Sequence, residues 1–489
     1  MTWLQHLGVI DAWRLHHPHD QVFSSPKAKH RLDYIFADTS LVQEAYLKSS
    51  YLECPDPTDH LCHSVTLLPS GLARSRSSWK LPKELLVIPE VQNVIREEAR
   101  ALLVQLDNAT NIGVLWAGWK KRTRRFLQQY HARHVAQRTR VRDTAEAVWC
   151  RAQVAHLTHR ISHEQLHLAK AQYESIIDEW RQHQNDLQFD FHASQNEVST
   201  SHFFRPPKRR LYNVPIVEVQ QSDGSYTSDP ALVHDAFHER WSDIMCERDF
   251  RPPSRVIRRR FLRLLKTKLS DVQRDELDQP ITSTELAAAI RTMHPNKAPG
   301  LDGFSAGFYQ LDPPLFGEIL RRVFDYQLQR GELLGMQRRS AVSVLFKGGD
   351  RRNTGNYRPI SLIPVEVKAL TRALAYRVNS LLPLLIHPIQ NGFVQGRRIH
   401  DHVLFLRDLQ HKHTLDGEEG YAMFLDFEKA YDRINWDFMF DTLETFNFGP
   451  RFLQWLRLLY NHPVAHLVIN GTLSQAIFPS RGVKQGDPL

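Results

Sequence analysis

Three sets of residues have the types and spacing of a reactive site. The first centres on Asp426, in the run Phe424-Leu425-Asp426-Phe427-Glu428-Lys429-Ala430-Tyr431-Asp432-Arg433. The apolar AMFL ahead of Asp426 has strand length, and INWDFMFDTLETFNF behind it has apolar residues at helical spacing. This predicts that Asp426 stands where a buried strand ends, exposed at a sheet edge. A carboxylate there can hold a hard cation such as Mg²⁺ together with phosphate oxygens, or it can simply cap the following helix. The second set is Lys347 and Arg358, in RRSAVSVLFKGGDRRNTGNYRPISLIP. That segment reads as a strand ending at Lys347, a Gly-rich basic turn and a second strand carrying Arg358. Two cations on adjoining strands would face one anion, such as a triphosphate. The third set is Asp33, in HRLDYIFAD, with Asp59-His60 at the mouth of the strand HSVTLLP. One carboxylate can orient an imidazole base while the other binds a metal. Two polar turn residues are the plainer reading of the same letters.

The elements around these residues follow from periodicity and punctuation. LPKELLVIPEVQNVIREEARALLVQL reads as helix. Residues 118–143 form a strongly basic helix with Trp119, Phe126 and Tyr130 interleaved. Its cations could neutralise phosphates while the rings stack on bases, or the cations could face solvent while the rings fill a core. Long helices continue beyond it, with His159, His163 and His167 spaced as one helix face. Residues 190–260 are Pro-broken and basic, with a turn at SDGS, residues 222–225, and an amphipathic helix starting near Asp229. Further on come a helix capped at Ser283 or Thr284 with Glu285, a Gly/Pro loop HPNKAPGLDG, a loop with Arg397 and Arg398 before another helix, and a hairpin turning at Asn470-Gly471.

Composition narrows the classes. The 489 residues allow two to four domains, and 42% apolar content fills ordinary cores. No apolar run is long enough to cross a membrane, and the first residues lack the pattern of a signal peptide. The four cysteines are scattered, with neither disulfide-framework nor zinc spacing. An intracellular site, nuclear or cytoplasmic and not secreted, is the expectation. The net charge of +9 favours a polyanion partner, most simply nucleic acid.

Two resemblances organise these features. Trp13-Arg14 after Asp11, RLDYIF, and Asp59-His60 before a strand are similar to the C-terminal end of the endonuclease/exonuclease/phosphatase fold of apurinic-type nucleases. The resemblance implies His60 as general base, Asp33 as the residue that orients it, and Asp59 at the metal and phosphate. It departs from the family in having Thr58 where Ser is usual. Residues 1–70 are too few to close that family's two-sheet sandwich, so the expectation is a remnant without nuclease activity.

Residues 271–489 resemble the reverse transcriptase of non-LTR (LINE-type) retrotransposons. NKAPGLDG, LFKGGD with NYRPISL, QNGFVQGRRIHDHVL, FLDFEKAYDRINW and RGVKQGDPL carry the likeness, in the family's order. The resemblance implies an RNA-directed DNA polymerase with RNA template, DNA primer and deoxynucleoside triphosphates as partners, and two-metal nucleotidyl transfer with Mg²⁺. Asp426 matches the first catalytic aspartate and Phe427 a main-chain metal contact. Tyr431 matches the aromatic beneath the incoming sugar. Lys347 and Arg358 match the triphosphate-holding cations, and Gln485, Gly486 and Gly482 match the loop that packs on nucleotide and template. Arg397 and Arg398 match a region that meets the nucleic-acid backbone. The family's second acidic motif, aromatic-x-Asp-Asp, has no counterpart, because the sequence contains no Asp-Asp pair. The expectation is therefore a reverse transcriptase truncated within the palm and inactive in this form, with a non-catalytic nucleic-acid-binding relic as the alternative. The expected fold is α+β: an incomplete sandwich tail over 1–70, basic helices over 71–189, a linker module over 190–270, and fingers with a partial palm over 271–489.

Overall fold

The computed structural model describes residues 9–24, 30–38, 41–42, 46–53, 60–67, 79–196, 215–221, 223–247, 254–417 and 419–489. The architecture is α+β, and the chain divides into two compact units, Met1–Ser77 and Ser78–Leu489. The first unit contains two two-stranded antiparallel sheets. Strand β1 (Val9–Asp11) pairs with β2 (Phe36–Asp38), and β3 (Tyr46–Glu53) pairs with β4 (Leu61–Leu67). Asp11 caps the short helix α1 (Ala12–His16) through the amides of Trp13 and Arg14. Its carboxylate also accepts both Nη groups of Arg31, at 2.5 and 2.7 Å.

The second unit opens with α2 (Pro89–Asp107), whose buried Val91, Ile95, Ala99, Leu102 and Leu106 make one stripe at helical spacing. Helix α3 (Ile112–Leu157) follows, started by the Asn111 side chain accepting from the Val114 amide. Its first turns are core: Trp116 and Trp119 are fully buried, and Phe126 and Tyr130 pack against the same cluster. Of the interleaved aromatics, Trp119 fills the interior while Phe126 and Tyr130 are half-buried at its edge. The remainder of α3 turns back on α4 (His163–Asn196), with Trp149 stacked on Tyr173. The histidine spacing is broken there, since His159 lies in the connecting turn with φ of 53° and shares no helix with His163 and His167.

Two short strands, β5 (Val219–Gln220) and β6 (Tyr226–Thr227), form the small hairpin expected around residues 222–225. Helices α5 (Pro230–Met245), α6 (Arg255–Leu262), α7 (Asp271–Leu277) and α8 (Ser283–Arg291) follow. The cap of α8 is Thr282, with Glu285 completing the capping box, one residue before the expected position. After α9 (Pro313–Arg330), strands β7 (Arg339–Phe346) and β8 (Tyr357–Leu362) form an antiparallel hairpin. Then come α10 (Val365–Asn379), α11 (Ile399–Asp416), α12 (Trp436–Thr445), α13 (Pro450–Leu459) and the hairpin β9 (Val464–Ile469) with β10 (Thr472–Ile477). Asn470 and Gly471, both left-handed at φ of 49° and 83°, make the turn of that hairpin.

The four strands form one sheet in the order β10-β9-β7-β8, in which β7 and β9 run parallel. Helix α5 covers this sheet, burying Phe237 and Trp241 with Val342, Tyr357, Leu467 and Ile477. A larger helical core joins α2, the start of α3, α8, α9, α10 and α13. Helix α11 contributes no buried residue to either core.

The run before Asp426 does not form the expected strand. Residues 419–427 have no regular secondary structure, and Tyr421 and Phe427 are 99% and 83% exposed. An apolar run becomes a strand only where a neighbouring chain takes its backbone hydrogen bonds. Among the described residues no strand pairs with this one.

Candidate functional site

The site is built on the β7–β8 hairpin. Leu345 pairs with Arg358 and Phe346 with Tyr357. Side chains alternate along a strand, so Lys347, two residues beyond Leu345, falls on the same face as Arg358. The Lys347 amide donates to the Asn356 carbonyl at 2.8 Å, which continues the pairing past the strand end. The turn is held by the Asp350–Arg352 ion pair at 2.9 Å and by the Tyr357 hydroxyl donating to the Arg351 carbonyl at 2.8 Å. Among the described residues neither Lys347 nor Arg358 carries an ion pair, so both charges are open to a ligand.

The segment after Asp426 is anchored to this hairpin by Lys429. Its backbone is left-handed, with φ of 53°. Its ammonium donates to the Gly355 and Tyr357 carbonyls at 3.2 and 3.1 Å and lies 4.8 Å over the Trp241 ring. Glu428 pairs with Arg240 of α5 and with Arg433. Tyr431 and Asp432 sit in a 3₁₀ turn, and Asp432 is buried.

The loop Arg481–Asp487 closes onto both pieces. The Gly482 and Val483 amides donate to the Ile434 and Tyr431 carbonyls, each at 2.8 Å. Trp436 Nε1 donates to the Gly482 carbonyl at 2.8 Å. Gln485 Nε2 donates to both Asp432 carboxylate oxygens at 3.2 and 3.1 Å, while the Gln485 carbonyl accepts from the Ser361 amide of β8 at 2.7 Å. Both glycines are required by close approach. A Cβ on Gly482 would lie 2.5 Å from the Asp432 carbonyl, and one on Gly486 would lie 2.9 Å from the Ser361 carbonyl. Burial pushes the Asp432 carboxyl up to about 6, although Lys429 and Gln485 favour its charged form.

Tyr431, Gln485, Gly486 and Gly482 are thus brought together beside the hairpin of Lys347 and Arg358. Asp426 and Phe427 lie on the exposed segment without regular secondary structure that leads into the turn. Arg397 has its guanidinium taken up by the carbonyls of Pro383, Ile386, His387 and Gln390, which fixes the base of its own loop. Arg398 is the residue before α11. In the first unit, His60 Nδ1 lies 3.0 Å from the Asp33 carboxylate. The hydrogen bond to His60 is the foremost cause holding the Asp33 carboxyl below its ordinary value. Asp59 falls outside the described residues.

Sequence reasoning missed Lys429, Arg240 and Asp432. Lys429 and Asp432 are inside the segment already singled out, so their proximity to Asp426 was the available signal. Arg240 carried none, since only the fold brings α5 to this turn.

Asp426 and Glu428 are both exposed on this segment, Glu428 being paired with Arg240 and Arg433, and Asp432 is committed to Gln485. Among the described residues no group of three metal-ligating side chains forms.

Residues 347–489 match the family model for reverse transcriptase (RNA-dependent DNA polymerase). The whole chain is similar to a transposon TX1 uncharacterized 149 kDa protein of Xenopus laevis, 27% identical over 99% of this chain and 37% of that protein. A retrovirus-related Pol polyprotein from the type-2 retrotransposable element R2DM of Drosophila melanogaster is 30% identical over 43% of this chain and 19% of its own length. The RNA-directed DNA polymerase from mobile element jockey of Drosophila funebris is 24% identical over 43% and 23%. The chain therefore carries a reverse transcriptase domain over residues 347–489 and is similar to proteins of a transposon, a retrotransposable element and a mobile element. It spans about a third of the length of the first of these relatives and about a fifth of the other two.

Proposed function

We propose that this chain is the nucleotide- and template-holding part of an RNA-directed DNA polymerase of a non-LTR retrotransposon. In this reading β7 and β8 are the fingers hairpin, with Lys347 and Arg358 as its triphosphate-facing cations. The sheet with β9 and β10 is part of the palm. The observation that carries the reading is the convergence of three segments distant in sequence. Ser361 of β8, the Tyr431–Asp432 turn and the Gly482–Gly486 loop meet through hydrogen bonds of 2.7–3.2 Å. Tyr431 beside an open pair of cations suits a nucleotide, whose sugar and base want an apolar face and whose phosphates want positive charge.

What the residues do is hold and orient. Lys347 and Arg358 take the anionic end of the nucleotide, Tyr431 supports its sugar, and the 481–487 loop is kept in register by Asp432 and Ser361. In this reading the chain holds an RNA–DNA primer–template and a deoxynucleoside triphosphate. The test is fluorescence anisotropy of a labelled primer–template at several salt concentrations, beside a primer-extension assay with Mg²⁺. Affinity should fall about tenfold or more between about 50 and 200 mM salt, because phosphate contacts release counterions. Salt-independent binding overturns the nucleic-acid reading. Extension with Mg²⁺ that is lost in Asp426→Ala would add a metal-holding role for Asp426 to this reading.

A further inference from the structure

Phe393 stands out among the residues that none of the foregoing uses. It has a left-handed backbone, with φ of 63°, which a bulky side chain adopts only at a cost. It is also 90% exposed, although the next residue, Val394, is buried. A strained backbone that buries nothing gains no packing in return, so strain of this kind is a pointer to use. The loop is not loose at its base, where Arg397 donates to four carbonyls between Pro383 and Gln390. The Phe393 ring stands edge-on to Tyr431, with centroids 6.0 Å apart and planes at 86°. The Tyr431 backbone is itself held by the Val483 amide at 2.8 Å. Two residues before Tyr431, Lys429 is tied to the hairpin that bears Lys347 and Arg358.

We propose that Phe393 and Tyr431 form a two-ring clamp that takes the flat face of a nucleobase. An edge-to-face pair leaves a ring face open to a third planar group. Aromatic faces next to phosphate-seeking cations are the general device for holding nucleic acid without reading its sequence. The ring of Phe393 supplies the stack, and its left-handed backbone presents the ring to solvent beside Tyr431. The inference rests on the nucleotide-holding reading above and adds to it a residue from a loop well before the Tyr431 turn.

The test uses the full chain and the variants Phe393→Gly, Phe393→Ala and Phe393→Trp. Two probes are titrated: a primer–template with a single-stranded template overhang, and a free deoxynucleoside triphosphate. Loss of one base stack should weaken binding by about 5- to 100-fold in the Gly and Ala variants. Phe393→Trp should bind as the parent does. The slope of log affinity against log salt should stay unchanged, because no phosphate contact is removed. Phe393→Gly should unfold at the same or a higher temperature than the parent, since glycine relieves the left-handed strain. Weakening for the overhang probe alone places a template base on the clamp, and weakening for the triphosphate alone places the incoming base there. Parental affinity in both the Gly and Ala variants overturns the clamp while leaving the nucleotide-holding reading intact. A Gly variant that loses affinity only together with several degrees of thermal stability also overturns it, in favour of a structural role. If the parent binds neither probe, the nucleotide-holding reading fails and the clamp fails with it.

Discussion

Asp432 is a carboxylate that the fold keeps from water. Gly482 and Gln485 cover it, and Lys429 is the one cation favouring its charge. Its folded value near 6 lies above the ordinary 3.8. Between those values the unfolded chain has released its proton while the folded chain keeps it. The group's contribution to stability therefore falls as pH rises through that window, and the loss is complete above pH 6. The full cost is about 2–3 kcal/mol. Asp432→Asn, which mimics the protonated form, should unfold at a higher temperature than the parent at pH 7–8 and at the same temperature near pH 4. Scanning fluorimetry across that range checks this, and parallel curves at every pH would refute it. Lys347 and Arg358 were readable as a same-face pair because strand alternation is a local rule. Burial of Asp432 was not readable, because the loop that covers it lies about fifty residues further along the chain.

Lys120 shows how one element can mislead a reading of charge. It belongs to the basic helix of residues 118–143, yet it lies in the interior, 2.6 Å from Asp302 and 3.1 Å from Glu366. Glu366 also accepts from Trp116 Nε1 at 2.9 Å and from the Tyr309 hydroxyl at 3.4 Å. This cluster ties α3 to the NKAPGLDG loop and to α10, so the loop's acidic residue serves the packing of helices. Lys120→Met would leave two buried carboxylates without their cation and should cost about 3–5 kcal/mol in urea unfolding. A loss below about 1 kcal/mol would show that the cluster is not a structural tie. Helix α2 was legible because its apolar stripe depends on spacing within the helix. The AMFL run has the composition of a strand, but strand formation needs a neighbour, and composition does not report one. The basic stretch was legible as a helix. Which of its faces turned inward depended on Trp116, Trp119 and Leu127 meeting α9 and other helices of the core.

At the scale of the whole molecule, much apolar surface is left uncovered in one continuous part of the chain. Val403 and Phe405 of α11 and Met423 to Phe427 are largely exposed. Exposed apolar segments with unpaired backbone invite association between copies. Phe405→Lys with Phe424→Lys should shift the chain toward monomer in light scattering at fixed concentration without lowering its unfolding temperature. A lowered temperature would mean that these residues are packed after all, and unchanged scattering would place the association surface elsewhere. The sheet has a different consequence. Its central strands β7 and β9 are parallel neighbours with Arg339 opposite Val464, and α5 packs on strands made long after it. Trp241 cannot be enclosed until Leu467 and Ile477 have been synthesised. At about 5–20 residues per second on the ribosome, that interval is on the order of ten seconds or more. During it the nascent chain carries a helix with a bare apolar face, and pairings this distant in sequence form slowly. Yield of the native chain should therefore depend on the chaperones that meet it during translation.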